Sequence, residues 1–109
     1  MKLITETIED MEKNGLIGPI VSHAGDGNFH VALLIDKTSQ LELDKLDSFL
    51  IRISERAIRM DGTCTGEHGV GQGKRKYMLK ELGNAVDVMK KVKNAFDPNK
   101  IMNPGKLFL

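Results

Sequence analysis

Residues 16–36 contain two apolar runs, "LIGPIVSH" and "NFHVALLID", meeting across "AGDGN". No other stretch narrows the fold as much. Both runs are rich in strand-forming residues, and a short link of glycine, aspartate and asparagine makes an antiparallel hairpin the natural connection. Pro19 has no N–H to donate, which suggests an edge position or a bulge in the first strand. Gly25 and Gly27 supply the positive φ values that a tight, ligand-approaching loop needs.

Helical periods surround this hairpin. Leu3 or Ile4, Ile8 and Met11 predict a helix over 2–13, stopped by Asn14-Gly15. Ser39-Gln-Leu-Glu42 is a capping-box pattern. Leu43, Leu46, Leu50, Ile53 and Ala57 then mark one face of a helix ending at Asp61-Gly62. "TCTGEHGVG" reads as a short strand running into a loop, and residues 74–82 as helical. Val86, Met89, Val92 and Phe96 define a last helix that stops before Pro98, followed by the turn-rich tail "NKIMNPGKLFL". There is no repeat and no low-complexity linker. At 109 residues the chain reads as one α+β domain with little core to spare.

Composition excludes several classes. Hydrophobic residues are 40% and charged residues 28%, ordinary values for a globular protein. No apolar run approaches membrane-spanning length, and "MKLITETIEDMEKNG" has acids where a signal peptide needs an apolar core. A single cysteine, Cys64, excludes an internal disulfide framework and fits a reducing compartment. The expected location is the cytoplasm, or a membrane face reached through a partner. Residues 1–73 hold 7 Lys+Arg against 12 Asp+Glu, and residues 74–109 hold 9 against 3. The basic run "GKRKYMLK" could face an anion, although a solvated helix face is the simpler reading. With four Phe and one Tyr, a base-stacking platform for nucleic acid has poor support.

Two of the three histidines, His23 and His30, flank the hairpin loop. The bland reading is turn chemistry with incidental histidines. The sharp reading is a metal site: directly paired residues of an antiparallel hairpin share a face with β-carbons roughly 5 Å apart. Two neutral imidazoles need at least a third donor, for which Glu67 and His68 in "GTCTGEHGVGQGK" are the candidates. Neighbours in an extended segment point in opposite directions, so we assign Glu67 to the metal and His68 to acid–base work. On the second strand His30 shares its face with Ala32 and Leu34.

Other motifs fail. "GVGQGKR" is not a phosphate-binding loop, because His68 stands where glycine is required and Arg75 replaces Ser or Thr. The dinucleotide pattern fits neither glycine cluster, since His30 or Lys74 falls at its last position. "DGN" lacks the acidic ladder of a calcium loop. Cys64 carries no catalytic signature and reads as a small buried hydrophobe.

"SHAGDGNFH", "GTCTGEHGVGQGKR" and "FDPNKIMNPGKLF", in this order, resemble the C-terminal region of FAD-linked 2-hydroxy acid dehydrogenases. That group includes the D-lactate dehydrogenases and the FAD-binding glycolate oxidase subunit, related to vanillyl-alcohol oxidase. The resemblance covers nearly all of residues 15–109. It implies a cap-domain fragment with a ferredoxin-like antiparallel sheet and helices packed on one face, following an FAD-binding domain. It implies that His23, His30 and Glu67 hold a divalent ion, zinc or manganese. It implies that His68 takes the hydroxyl proton while hydride passes to the flavin. Asn103, in "NPGK", would reach towards the flavin, and Asn28 lies on the flavin or substrate side.

The family's members for longer dicarboxylic hydroxy acids carry asparagine where Ala32 stands, so lactate- or glycolate-like substrates are implied. The FAD-binding domain itself is absent from residues 1–109, and the expected partner is such a domain in cis or in trans, with an undetermined electron acceptor. Removal of that domain predicts exposed apolar surface and self-association. The competing reading is a free-standing metal-binding or interaction module without a redox role. A purely structural module has no need of His68.

Overall fold

In a computed structural model, residues 2–108 are described, and the chain divides into compact units of residues 1–62 and 63–109. The first unit runs α1 (Lys2–Lys13), β1 (Ile20–His23), β2 (Asn28–Val31) and α2 (Gln40–Arg59). The second contains α3 (Met78–Leu82) and α4 (Ala85–Phe96), with 3-10 turns at Gly66–His68 and Arg75–Tyr77. The α+β class expected from the sequence is present. The sheet of the ferredoxin-like expectation is represented, among the described residues, by one antiparallel pair.

The hairpin forms where the residues predict it. Ile20 pairs with Val31, Val21 with His30, Ser22 with Phe29 and His23 with Asn28. Pro19 causes no bulge: an isolated bridge between Ile17 and Leu34 continues the same register. The Pro19 carbonyl accepts from the Ala32 N–H at 3.1 Å, but proline cannot return the bond, so the regular ladder stops there. At Gly18 an added β-carbon would lie 2.1 Å from the Ala32 carbonyl oxygen, so only glycine fits that approach. The loop closes through a 3-10 turn, Ala24–Asp26, with Gly27 left-handed at φ 68°.

Two helices hold this unit together. Ser39 caps α2 by accepting the Glu42 N–H at 3.4 Å. The reciprocal half of the capping box goes elsewhere, since the Glu42 carboxylate accepts the Asp36 N–H. Against α1, α2 buries Phe49 (1% exposed), Ser54 and Ala57, and α1 contributes Thr7, Asp10 and Met11. Burying a phenylalanine is worth about 2–3 kcal/mol. Charge crosses the same contact. Arg52 Nε donates to both Asp10 oxygens at 3.0 Å, and Arg56 Nη2 to Asp10 Oδ2 at 2.6 Å. Burial pushes the Asp10 carboxyl up, but the two guanidiniums outweigh it and hold it below its ordinary value.

The second unit has less regular structure. Tyr77, Met78 and Val86 are its buried apolar side chains. Helix α4 ends at Asp97, whose carboxylate is bonded by the Lys93 ammonium and by the N–H groups of Ile101 and Met102 at 2.9 and 3.0 Å. The Lys93 hydrogen bond, helped by those two N–H groups and opposed by burial, lowers the Asp97 carboxyl. The tail after α4 is therefore folded back onto its own helix end.

Candidate active site

The register decides how the hairpin histidines meet. They are not a direct pair, as the sequence had suggested: His23 faces Asn28 and His30 faces Val21. Pairing of His23 with Asn28 closes the loop at residues 24–27, two residues short of His30, which makes the histidines diagonal neighbours. Because residues 28 and 30 share a face, His23, Asn28 and His30 still project together. Their ring centroids lie 5.7 Å apart at an interplanar angle of 86°. His23 is exposed and His30 half-buried. The same face continues through Val21, Ala32, Ile17 and Leu34, of which Ile17 and Leu34 are 71% exposed.

Such an arrangement suits a divalent ion. Two imidazoles on adjacent strands can aim a nitrogen each at one point, and the strand backbone fixes both. Borderline-soft nitrogen donors of this kind match zinc better than calcium or magnesium.

In the second unit, Glu67 and His68 stand on the 3-10 turn Gly66–His68 rather than on an extended strand. Positive φ at Gly66 (54°), Gly69 (73°) and Gly71 (51°) coils the segment, which a strand of L-residues would not do. This overturns the geometric reason for dividing the two roles. Instead of diverging, the side chains approach, with His68 Nε2 3.9 Å from Glu67 Oε1. Both are exposed.

Cys64, upstream of that turn, is not poised for attack. Burial, followed by the hydrogen bond and negative charge of Glu81, pushes its thiol up to about 11. A thiol so raised stays protonated at neutral pH and is a poor nucleophile. Glu81 in turn accepts the Cys64 N–H at 3.0 Å. Cys64 is half-buried rather than the fully buried hydrophobe expected, and it is not activated.

Asn103 lies in the tail, exposed and in the left-handed region at φ 47°. What the sequence did not reveal is how that tail is held. Arg75, read there as part of a solvated basic face, donates to the carbonyls of Gln72, Gly105 and Phe108 at 3.2, 2.8 and 3.4 Å. A lone arginine in a basic run carries no pattern that could announce this.

Residues 1–107 match the family described as FAD linked oxidases, C-terminal domain. A mitochondrial D-lactate dehydrogenase [cytochrome] 1 of Saccharomyces cerevisiae is 53% identical over 98% of this chain and 18% of its own length. The probable mitochondrial D-lactate dehydrogenase of Danio rerio is 47% identical over 97% of this chain and 22% of its own. The glycolate oxidase subunit GlcD of Bacillus subtilis is 45% identical over 79% of this chain and 18% of its own. The chain thus spans about a fifth of the length of these relatives.

Proposed function

The chain belongs to the family of FAD linked oxidase C-terminal domains, and from that premise we propose that it is the substrate- and metal-binding part of an FAD-dependent 2-hydroxy acid dehydrogenase. The convergence of His23 and His30 on one hairpin face is the observation that carries this reading. Glu67 supplies the third donor. The relatives named as D-lactate dehydrogenases and a glycolate oxidase subunit support a small 2-hydroxy acid as substrate. Ala32, on the His30 face, offers no side-chain amide to a distal carboxylate, which suits lactate or glycolate better than a longer diacid.

Bound flavin would supply the hydride acceptor, and a divalent ion held by His23, His30 and Glu67 would lower the pKa of the substrate hydroxyl. The chain's residues do the rest. His68 receives the hydroxyl proton, and an exposed imidazole on a glycine-coiled turn can reach a substrate held beside it. Asn103 and Asn28 present amides to the flavin and substrate sides. The flavin-binding domain is the partner, in cis or in trans, and the exposed Ile17, Val21 and Leu34 favour self-association when it is missing. Among the described residues no helix is long and apolar enough to cross a membrane. The lone Cys64 suits the cytoplasm.

Joined to a flavin-binding domain from one of these relatives, the chain should reduce an electron-accepting dye with D-lactate or glycolate. His68→Ala should lower turnover by about 10²–10⁴-fold, the usual contribution of a proton acceptor. In calorimetry with zinc or manganese, His23→Ala and Glu67→Ala should abolish binding, while His68→Ala should retain it. Loss of binding in His68→Ala with retention in Glu67→Ala would reverse the two roles. Metal binding without any turnover would favour the free-standing module.

A further inference from the structure

We propose that Arg75 is a positioning residue that ties the tail carrying Asn103 to the loop carrying His68, an inference resting on the reading that both residues serve the reaction. All of these groups lie within residues 63–109. On the loop side, Arg75 Nε donates to the Gln72 carbonyl at 3.2 Å. On the tail side, Arg75 Nη1 donates to Gly105 at 2.8 Å and to Phe108 at 3.4 Å. Beside them, the Leu107 N–H donates to the Gly71 carbonyl at 2.8 Å. Gly71 stands three residues after His68 and Gly105 two after Asn103. One side chain therefore closes the short path between the two functional residues.

The tail needs such a clamp. Lys100, Asn103 and Leu107 have φ of 55°, 47° and 67°, a left-handed conformation that L-residues adopt at a cost. Three such residues in one short segment persist only where the surroundings over-determine them. Asp97 and Lys93 fix the near side of Asn103, through the Ile101 and Met102 N–H groups and the Met102 carbonyl. Arg75 fixes the far side. The task selects a guanidinium, whose planar fork reaches several carbonyls at once from one rigid group. A lysine ammonium at the end of its flexible stem cannot span the loop and tail carbonyls in that way.

Hydrogen exchange followed by NMR on the 109-residue chain tests the clamp. In Arg75→Ala the Leu107 amide should exchange about tenfold faster or more, as expected when a local opening loses its restraint. Resonances of residues 66–71 and 103–108 should shift together, while the amides of Val92 and Lys93 in α4 keep their rates. Arg75→Lys should behave like Arg75→Ala, and millimolar guanidinium added to Arg75→Ala should restore the shifts. Unchanged Leu107 exchange, or α4 amides quickened by the same factor, would overturn the clamp. In the assembled flavoenzyme, Arg75→Lys should lower kcat by about tenfold to a hundredfold with KM nearly unchanged, the signature of misplaced reacting groups. An unaltered kcat would overturn the positioning role. If the unsubstituted assembly is itself inactive, the functional reading falls, while the exchange data still decide the clamp.

Discussion

In residues 1–62 most of the backbone lies in two helices and a hairpin, and buried side chains join the helices across a shared contact. In residues 63–109 no helix is as long as α2, 3-10 turns replace strands among the described residues, and charged side chains bond to backbone groups. The positive-φ residues divide in the same way. Among the described residues Asp61 is the single non-glycine example in the first unit, whereas Lys100, Asn103 and Leu107 all lie in the second. The contrast matches what each unit presents. A pair of histidines on one face needs only a regular ladder. A turn bearing Glu67 and His68, and a tail bearing Asn103, need backbone shapes that no regular element offers. Those shapes are held by polar contacts made one at a time.

The largest test of this contrast compares apolar truncations. Phe49→Ala should cost the first unit about 4 kcal/mol, because a large, fully enclosed ring leaves a cavity. Val86→Ala, in the second unit, should cost about 2 kcal/mol, since it removes only a few buried methyl contacts. Denaturant titrations read by hydrogen exchange in each unit measure both. Equal losses would show that the second unit depends on its apolar core as much as the first.

A smaller effect concerns the charges between α1 and α2. Asp10→Ala should cost about 2 kcal/mol, because it removes a buried carboxylate that accepts from both guanidiniums, although Arg56 keeps Glu6 and Thr7 as partners. The pH dependence has a definite sign. The Asp10 carboxyl is lowered in the folded chain, so its stabilisation is complete above the ordinary carboxylate value of 3.8. It disappears as pH falls through the lower folded value. Acid titration by circular dichroism should therefore show a loss of stability below pH 3.8 that is smaller in Asp10→Ala, where the lowered Asp97 carboxyl still contributes.

The smallest expected effects come from the helix caps. Ser39 accepts the Glu42 N–H, so Ser39→Ala should cost about 0.5–1 kcal/mol. Asn84 precedes α4 but makes no side-chain capping bond, so Asn84→Ala should change stability by only a few tenths of a kcal/mol. Thermal unfolding of the two variants side by side measures the difference. A costlier Asn84→Ala would place more of the second unit's stability in α4 than its cap geometry suggests.

Much of this was legible in the residues. The periods of α1, α2 and α4, the strands on either side of "AGDGN", the Ser39 cap and the stop before Pro98 all depend on local preferences. The three ordered motifs that resemble the FAD-linked dehydrogenases also lie in the linear sequence. Local physics failed where neighbours in space decide. One such place is the hairpin register, which decides both whether His23 and His30 share a face and whether they pair directly or diagonally. Another is "GEHGVG", since glycines permit a strand, a loop or a 3-10 turn alike.

The sequence by itself determined the helices, the hairpin and the family, because periodicity, capping and motif order are properties of adjacent residues. Only the tertiary structure decided that His23 and His30 meet as diagonal neighbours, that Glu67 and His68 approach each other, and that Arg75 bonds three carbonyls from two segments. The reason is physical. A side chain's partners across space depend on register and on backbone turns fixed by many weak contacts acting together, and no window of sequence contains that sum.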